Sequence, residues 1–200
     1  MYKLVLSLLK VIFTGTVLIA VLSGCSVQHQ LLNRAGDLLS AETSSTDDDL
    51  ELLMHASAYQ LKLSESLLQE IPDHIKLAEA VTRGYTQYAF VFLMDEADRM
   101  ESESIQKANV LRVRAAKMLT RAKKVGLKSL NLHYPDLLDH LQGKGVKQAI
   151  KIKKQDAGLV YWSMTAWAGA ISLSKDSPDV VADLPEVLRL AEMAWQAHPQ

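Results

Sequence analysis

The chain contains a single cysteine, and its neighbours give that thiol a chemistry. Cys25 directly follows Leu22-Ser23-Gly24, small residues closing an apolar run. Lys3 and Lys10 supply a positive start, and Val11 to Leu22 supply an apolar stretch broken only by Thr14, Gly15 and Thr16. A thiol in that position is a site for joining to a diacylglycerol, with cleavage of the chain just before it.

The pattern resembles a lipobox. A transmembrane anchor over Leu4 to Leu22, about 19 residues, has the length to span a bilayer, and a plain secretory signal also fits the charge. Neither accounts for a lone cysteine placed directly after Leu-Ser-Gly. The reading is therefore a signal peptide over 1–24 and a lipidated Cys25. Two or three acyl chains give stable anchoring, since each buried CH₂ contributes about 0.8 kcal/mol and one chain alone is marginal. Ser26, where enteric lipoproteins held in the inner membrane have Asp, points to periplasmic anchoring at the outer membrane.

Elsewhere the reactive side chains do not assemble into a catalytic set. No Gly-x-Ser-x-Gly elbow and no phosphate-binding Gly-rich loop occur. The six histidines are scattered; His133 and His140 are separated by Pro135, whereas two metal ligands on one helix want i, i+4 spacing with a carboxylate nearby. Asp95, Glu96 and Asp98 share one helix and read as a solvated face. The expectation is a protein without catalytic residues, metal or cofactor.

Two aromatic-rich segments offer binding chemistry instead. Gly84 to Phe92 carries Tyr85, Tyr88 and Phe92, and Tyr161 to Ala170 carries Tyr161, Trp162 and Trp167, each mixed with small residues and hydroxyls. Tyr85 and Phe92, seven apart, share a helical face, with Tyr88 near it. Trp162 and Trp167 diverge by about 140° at 100° per residue, which places one toward the core and the other toward a cavity. These six rings either pack the helices together or line an apolar pocket in which Tyr and Trp tips orient a ligand.

The elements that must position them are helices. Gly and Pro are sparse, and Ala, Leu, Lys, Glu and Met dominate. A short helix is expected over 26–37, then a polar loop ending in a cap at Thr46 or Asp47. Leu50, Met54, Ala58, Leu61, Leu68 and Ile71 mark a helix stopped by Pro72. A second runs from His74 to Met100, antiparallel to the first across the short turn. A third starts at Ser102 or Ser104 and ends at Lys124. It carries a basic face (Lys107, Arg112, Arg114, Lys117, Arg121, Lys123, Lys124) that reads as solvated. Pro135-Asp136 opens a short helix, Val146 to Ile152 adds a turn or two, Gln155-Asp156 caps an apolar helix over Ala157 to Leu173, and a last helix covers Pro178 to Ala197. Without residues 1–24, which hold two lysines and no acid, the formal charge moves from −1 to −3, which argues against nucleic-acid binding. No cysteine remains for a disulfide, so packing must hold the fold.

Several segments together carry a family likeness: Cys25, Asp48-Asp49-Leu50-Glu51-Leu52, Arg83-Gly84-Tyr85-Thr86-Gln87-Tyr88-Ala89, Tyr161-Trp162 through Trp167, Ala170-Ile171-Ser172-Leu173-Ser174-Lys175-Asp176, and Ala182-Asp183-Leu184-Pro185. The chain resembles the T component associated with tripartite ATP-independent periplasmic (TRAP) transporters, the TatT-like lipoproteins. The resemblance implies an all-α fold of tetratricopeptide-like antiparallel hairpins (an α-solenoid) over 48–200 behind a tether over 25–47, C-terminally truncated relative to the family pattern. It also implies a homotrimer and a partner, the periplasmic solute-binding (P) component, with which the protein handles a small hydrophobic or carboxylated ligand. A lipoprotein scaffold for envelope assembly is the alternative on the same helix pairs.

Overall fold

A computed structural model describes residues 28–41, 48–145 and 150–197. The signal segment, Cys25, the expected caps at Thr46 and Asp47, and Val146 to Ala149 lie outside them. The described residues are helical with no strand, so the all-α expectation holds. In chain order the helices are α1 (28–40), α2 (Leu50–Glu70), α3 (Ile75–Tyr88) running through a π-helical segment (Ala89–Met94) into α4 (Asp95–Met100), α5 (Ile105–His133), α6 (Leu137–Leu141), α7 (Ala157–Ser172), α8 (Pro178–Val181) and α9 (Leu184–Ala197). None of the described helices is long and apolar enough to cross a membrane.

Local chemistry sets most of these boundaries. Asp49 caps α2 by accepting a hydrogen bond from the Leu52 amide at 2.9 Å, and Pro72 follows the C-cap Ile71. His74 caps α3 by accepting from the Leu77 amide through Nδ1, and Ser104 caps α5. Five boundaries differ from the pattern reading. The α2 cap is Asp49, because its carboxylate reaches the orphan amides of the first turn. Helix α5 continues nine residues past Lys124: Gly126 does not break it, because that position lies against α7 with no room for a side chain. Asp156 makes no capping bond to α7; its carboxylate instead accepts from the Tyr134 hydroxyl, whose pKa burial and that bond push up to about 12. Residues 150–153 are not helical, and the last helix divides at Ala182-Asp183, where Asp183 turns inward.

Helices α2 and α3 pack antiparallel, and so do α5 and α7. Leu61 of α2 meets Gly84 of α3, and Ile71 meets the start of α3. Gly126 of α5 faces Ser163 of α7, while Gly169 of α7 faces Leu119 of α5. Helix α5 packs against both α3 and α7, α3 and α7 also meet, and α9 covers α7. The core between them holds Leu77, Val81, Leu119, Leu130, Leu159, Val160 and Leu190, all fully buried. Glycine permits the closest approach: a Cβ on Gly126 would lie 2.0 Å from Ser163 Oγ and 3.2 Å from Thr82. The buried hydroxyls of Thr82, Thr86 and Ser163 donate to carbonyls one turn back, which satisfies them inside the core.

One buried charge ties three of these helices. Glu65 on α2 accepts from Arg121 Nε (2.5 Å) and Nη2 (2.6 Å) on α5, from the Tyr85 hydroxyl (2.8 Å) on α3, and from Lys62. Burial pushes the Glu65 carboxyl up, but the bonds from Arg121, Lys62 and Tyr85 together outweigh it and hold the group below the usual glutamate range. Burial and the Glu65 charge raise the Tyr85 phenol far above its ordinary value. Glu65 thus contributes stability that is complete above the unfolded glutamate value, about 4.3, and is lost as pH falls through the lower folded value.

Two outcomes follow. Glu65→Gln is expected to cost about 2 kcal/mol, less than the ~3–5 of a fully buried pair, because Arg121 is 46% exposed and partly screened by water. Urea unfolding checks it, and wild type should lose more stability than the variant on acidification below pH 4–5. Gly126→Ala should cost about 1–3 kcal/mol by overpacking, partly recovered in Gly126→Ala/Ser163→Ala.

Candidate ligand cavity and its aromatic wall

A recess of about 760 Å³ opens between α1, α2, α3, the π-helical segment and α7. Its volume falls in the range of small-molecule sites. Helix α2 contributes Leu53, Ser57, Gln60 and Leu61, α3 contributes Arg83, Gln87 and Tyr88, the π-helical segment contributes Phe92, and α7 contributes Trp162. Leu39 of α1 forms part of the wall. Gly84 brings α2 and α3 together on this side, since a Cβ there would be 3.0 Å from Leu61.

The π-helical turn decides how the rings divide. Its wider turn changes the register of the residues after Tyr88, so Tyr85 and Phe92 do not share a face. Tyr85 points into the core toward Glu65, and Phe92 lines the cavity with Tyr88, their rings 5.1 Å apart and tilted by 58°. Between them Phe90 turns to the other side, where Gly169 of α7 makes room: a Cβ there would lie 2.9 Å from the Phe90 ring.

The second aromatic segment divides as well. Trp162 faces the cavity, while Tyr161 is half-exposed and meets Trp162 edge-on at 5.2 Å. Trp167 is buried on the far side. Its indole N–H donates to Asp183 at 2.9 Å, and the Lys123 ammonium lies 4.1 Å from its ring centroid while also donating to Asp183. Burial pushes the Asp183 carboxyl up, but Lys123 and Trp167 together hold it below the usual range. That latch is why the last helix divides at Asp183.

Of the six candidate rings, Tyr88, Phe92 and Trp162 meet at the cavity, and Tyr85, Tyr161 and Trp167 do not line it. The pattern reading missed Arg83, Gln60, Gln87 and Leu39. Arg83 and Gln87 are four apart on the face that carries Gly84, which is a legible signal; nothing local marks Gln60 or Leu39. The wall contains amides, hydroxyls and one guanidinium but no carboxylate, so its polar groups suit a neutral or anionic ligand whose apolar body lies on the rings.

Helix α1 closes one side with a narrow seat. Gly36 is its one buried residue among those described. A Cβ there would lie 2.9 Å from the His74 ring. Because His74 Nδ1 accepts the capping bond, the ring proton belongs on Nε2, which faces Asp37 Oδ1 at 3.4 Å.

The two tryptophans give a discriminating pair. Trp162→Ala should weaken binding of an apolar fluorescent probe while lowering stability by about 1 kcal/mol. Trp167→Ala should cost about 3–5 kcal/mol through its core packing. Probe titration and urea unfolding on both variants check this, and unchanged probe affinity in Trp162→Ala sinks the cavity assignment.

Comparison with known proteins places this architecture. A model of the TRAP transporter T-component family matches residues 46–200. An uncharacterized protein of Treponema pallidum (strain Nichols) is 26% identical over 190 residues, covering 88% of this chain and 59% of the relative. The chain thus spans about three-fifths of that relative's length. The family match covers all the helices from α2 to α9, with the cavity walls they supply, and the chain belongs to the TRAP transporter T-component family.

Proposed function

We propose that the protein is a lipid-anchored periplasmic accessory subunit that partners the solute-binding (P) component of a TRAP transporter in uptake of a small ligand. The family match over residues 46–200 carries this reading. The cavity supports it: an aromatic wall with one guanidinium and two amides fits a hydrophobic molecule with a carboxylate or other polar end. Lipid on Cys25 holds the body at the envelope, with the outer membrane as its surface, and the family resemblance points to a homotrimer. Its role is to hold and pass on a ligand, not to transform it.

The detergent-solubilised full chain is expected to associate with a TRAP-transporter P component from the same organism, seen as a mass increase by light scattering, and to leave the ligand chemically unchanged. No association overturns the reading, and capture of envelope-assembly proteins in place of a P component moves the protein to a scaffold role. Mass spectrometry should find diacylglycerol on Cys25, and Cys25→Ala should shift the protein to the soluble fraction.

A further inference from the structure

Helix α5 holds eight Lys and Arg residues and no Asp or Glu, in a chain whose formal charge is only −1. Three of the eight are neutralised by other helices. Arg112 pairs with Asp98 and Glu101, Arg121 with Glu65, and Lys123 with Asp183. The other five, Lys107, Arg114, Lys117, Lys124 and Lys128, are exposed and make no ion pair with any described residue. At 3.6 residues per turn they fall within an arc of about 100° and extend over about 30 Å of helix.

Such a stripe works against its own helix. Lys124 and Lys128 are four apart and Arg114 and Lys117 three apart, and like charges at those spacings repel. The fold does not use these charges. The buried face of α5 is made by Ala108, Ala115, Leu119, Ala122 and Leu130, and the three paired cations already do the tying.

The middle of the stripe is concave. A recess of about 560 Å³ is lined by Val113, Ala116 and Leu173 together with Lys117, Arg121 and Lys124, and no carboxylate lines it. Val110 beside it is also exposed. Apolar surface in a hollow, flanked by the unopposed Lys117 and Lys124, is the complement of a protruding segment that carries both carboxylates and aliphatic side chains.

We infer that the outer face of α5 is the docking surface for an acidic, partly apolar segment of a partner protein. The observations favour a protein over a lipid surface. Membrane-binding faces pair cations with exposed Trp, Phe or Leu. Here the exposed apolar residues between the cations are Val110 and Val113, Leu132 lies a turn beyond the last of them, and the hollow is a place a flat bilayer cannot fill. The surface is separate from the ligand cavity, so docking leaves the aromatic wall free. The inference rests on the reading that a solute-binding component is the partner, and that component is the probe.

The test measures affinity of the detergent-solubilised full chain for the P component. Lys117→Glu/Lys124→Glu is compared with wild type and with Lys76→Glu, an exposed lysine on α3. Circular dichroism and urea unfolding confirm that each variant folds. The double reversal should weaken binding about tenfold or more and flatten its salt dependence, while Lys76→Glu stays within about twofold. Lys107→Glu/Lys128→Glu, at the ends of the stripe, should give a smaller loss. If wild type binds and the central double reversal binds equally well, the docking surface is overturned while the accessory role stands. If wild type fails to bind, the partner reading fails and takes this surface with it. Loss of binding to phosphatidylglycerol vesicles with partner affinity unchanged makes the face a membrane surface and also overturns the proposal.

Discussion

The Glu65 carboxylate is the constraint on which the arrangement of α2, α3 and α5 depends. A charge buried to that degree is stable only when matched by donors, and its donors come from all three helices. The guanidinium of Arg121 arrives in a two-bond fork, which fixes orientation as well as distance, and it also lies 5.2 Å from the Tyr85 ring centroid. Rotation of α2 about its axis would withdraw the carboxylate from both partners. The same interface carries Leu61 against Gly84 and forms the cavity wall, so the ion pair and the cavity are two consequences of one helix register.

Close approach and an irregular turn then determine what the aromatic residues do. Gly126 and Gly169 let α5 and α7 interlock, and Gly84 does the same for α2 and α3. Each is a place where a methyl group would meet a neighbour, so the glycines cost helix propensity locally and return it as packing. The π-helical segment changes register between Tyr85 and Phe92, placing one ring in the core and the other at the cavity. Trp162 and Trp167 divide similarly, the latter held by Asp183 and Lys123.

The charge distribution separates the two faces of the molecule. Cations that meet a carboxylate across a helix interface are structural; those on the outer face of α5 are not engaged. The cavity, by contrast, is lined by rings, amides and one guanidinium. The cavity and this face, proposed above for a ligand and for a partner protein, share no lining residue.

The sequence by itself determined the all-helical class, the stop at Pro72, a cap for α5 at Ser102 or Ser104, the apolar stripes and the family pattern around Tyr161-Trp162. These depend on neighbours within about four residues, the reach of helical hydrogen bonds and caps. Only the tertiary structure decided which rings face the cavity, that α5 continues past Gly126, that the last helix divides at Asp183, and that Arg121 leaves the basic face to meet a carboxylate 56 positions away. Those outcomes turn on packing distance and buried charge. Neither has a local period, so both become legible only once the helices are set against one another.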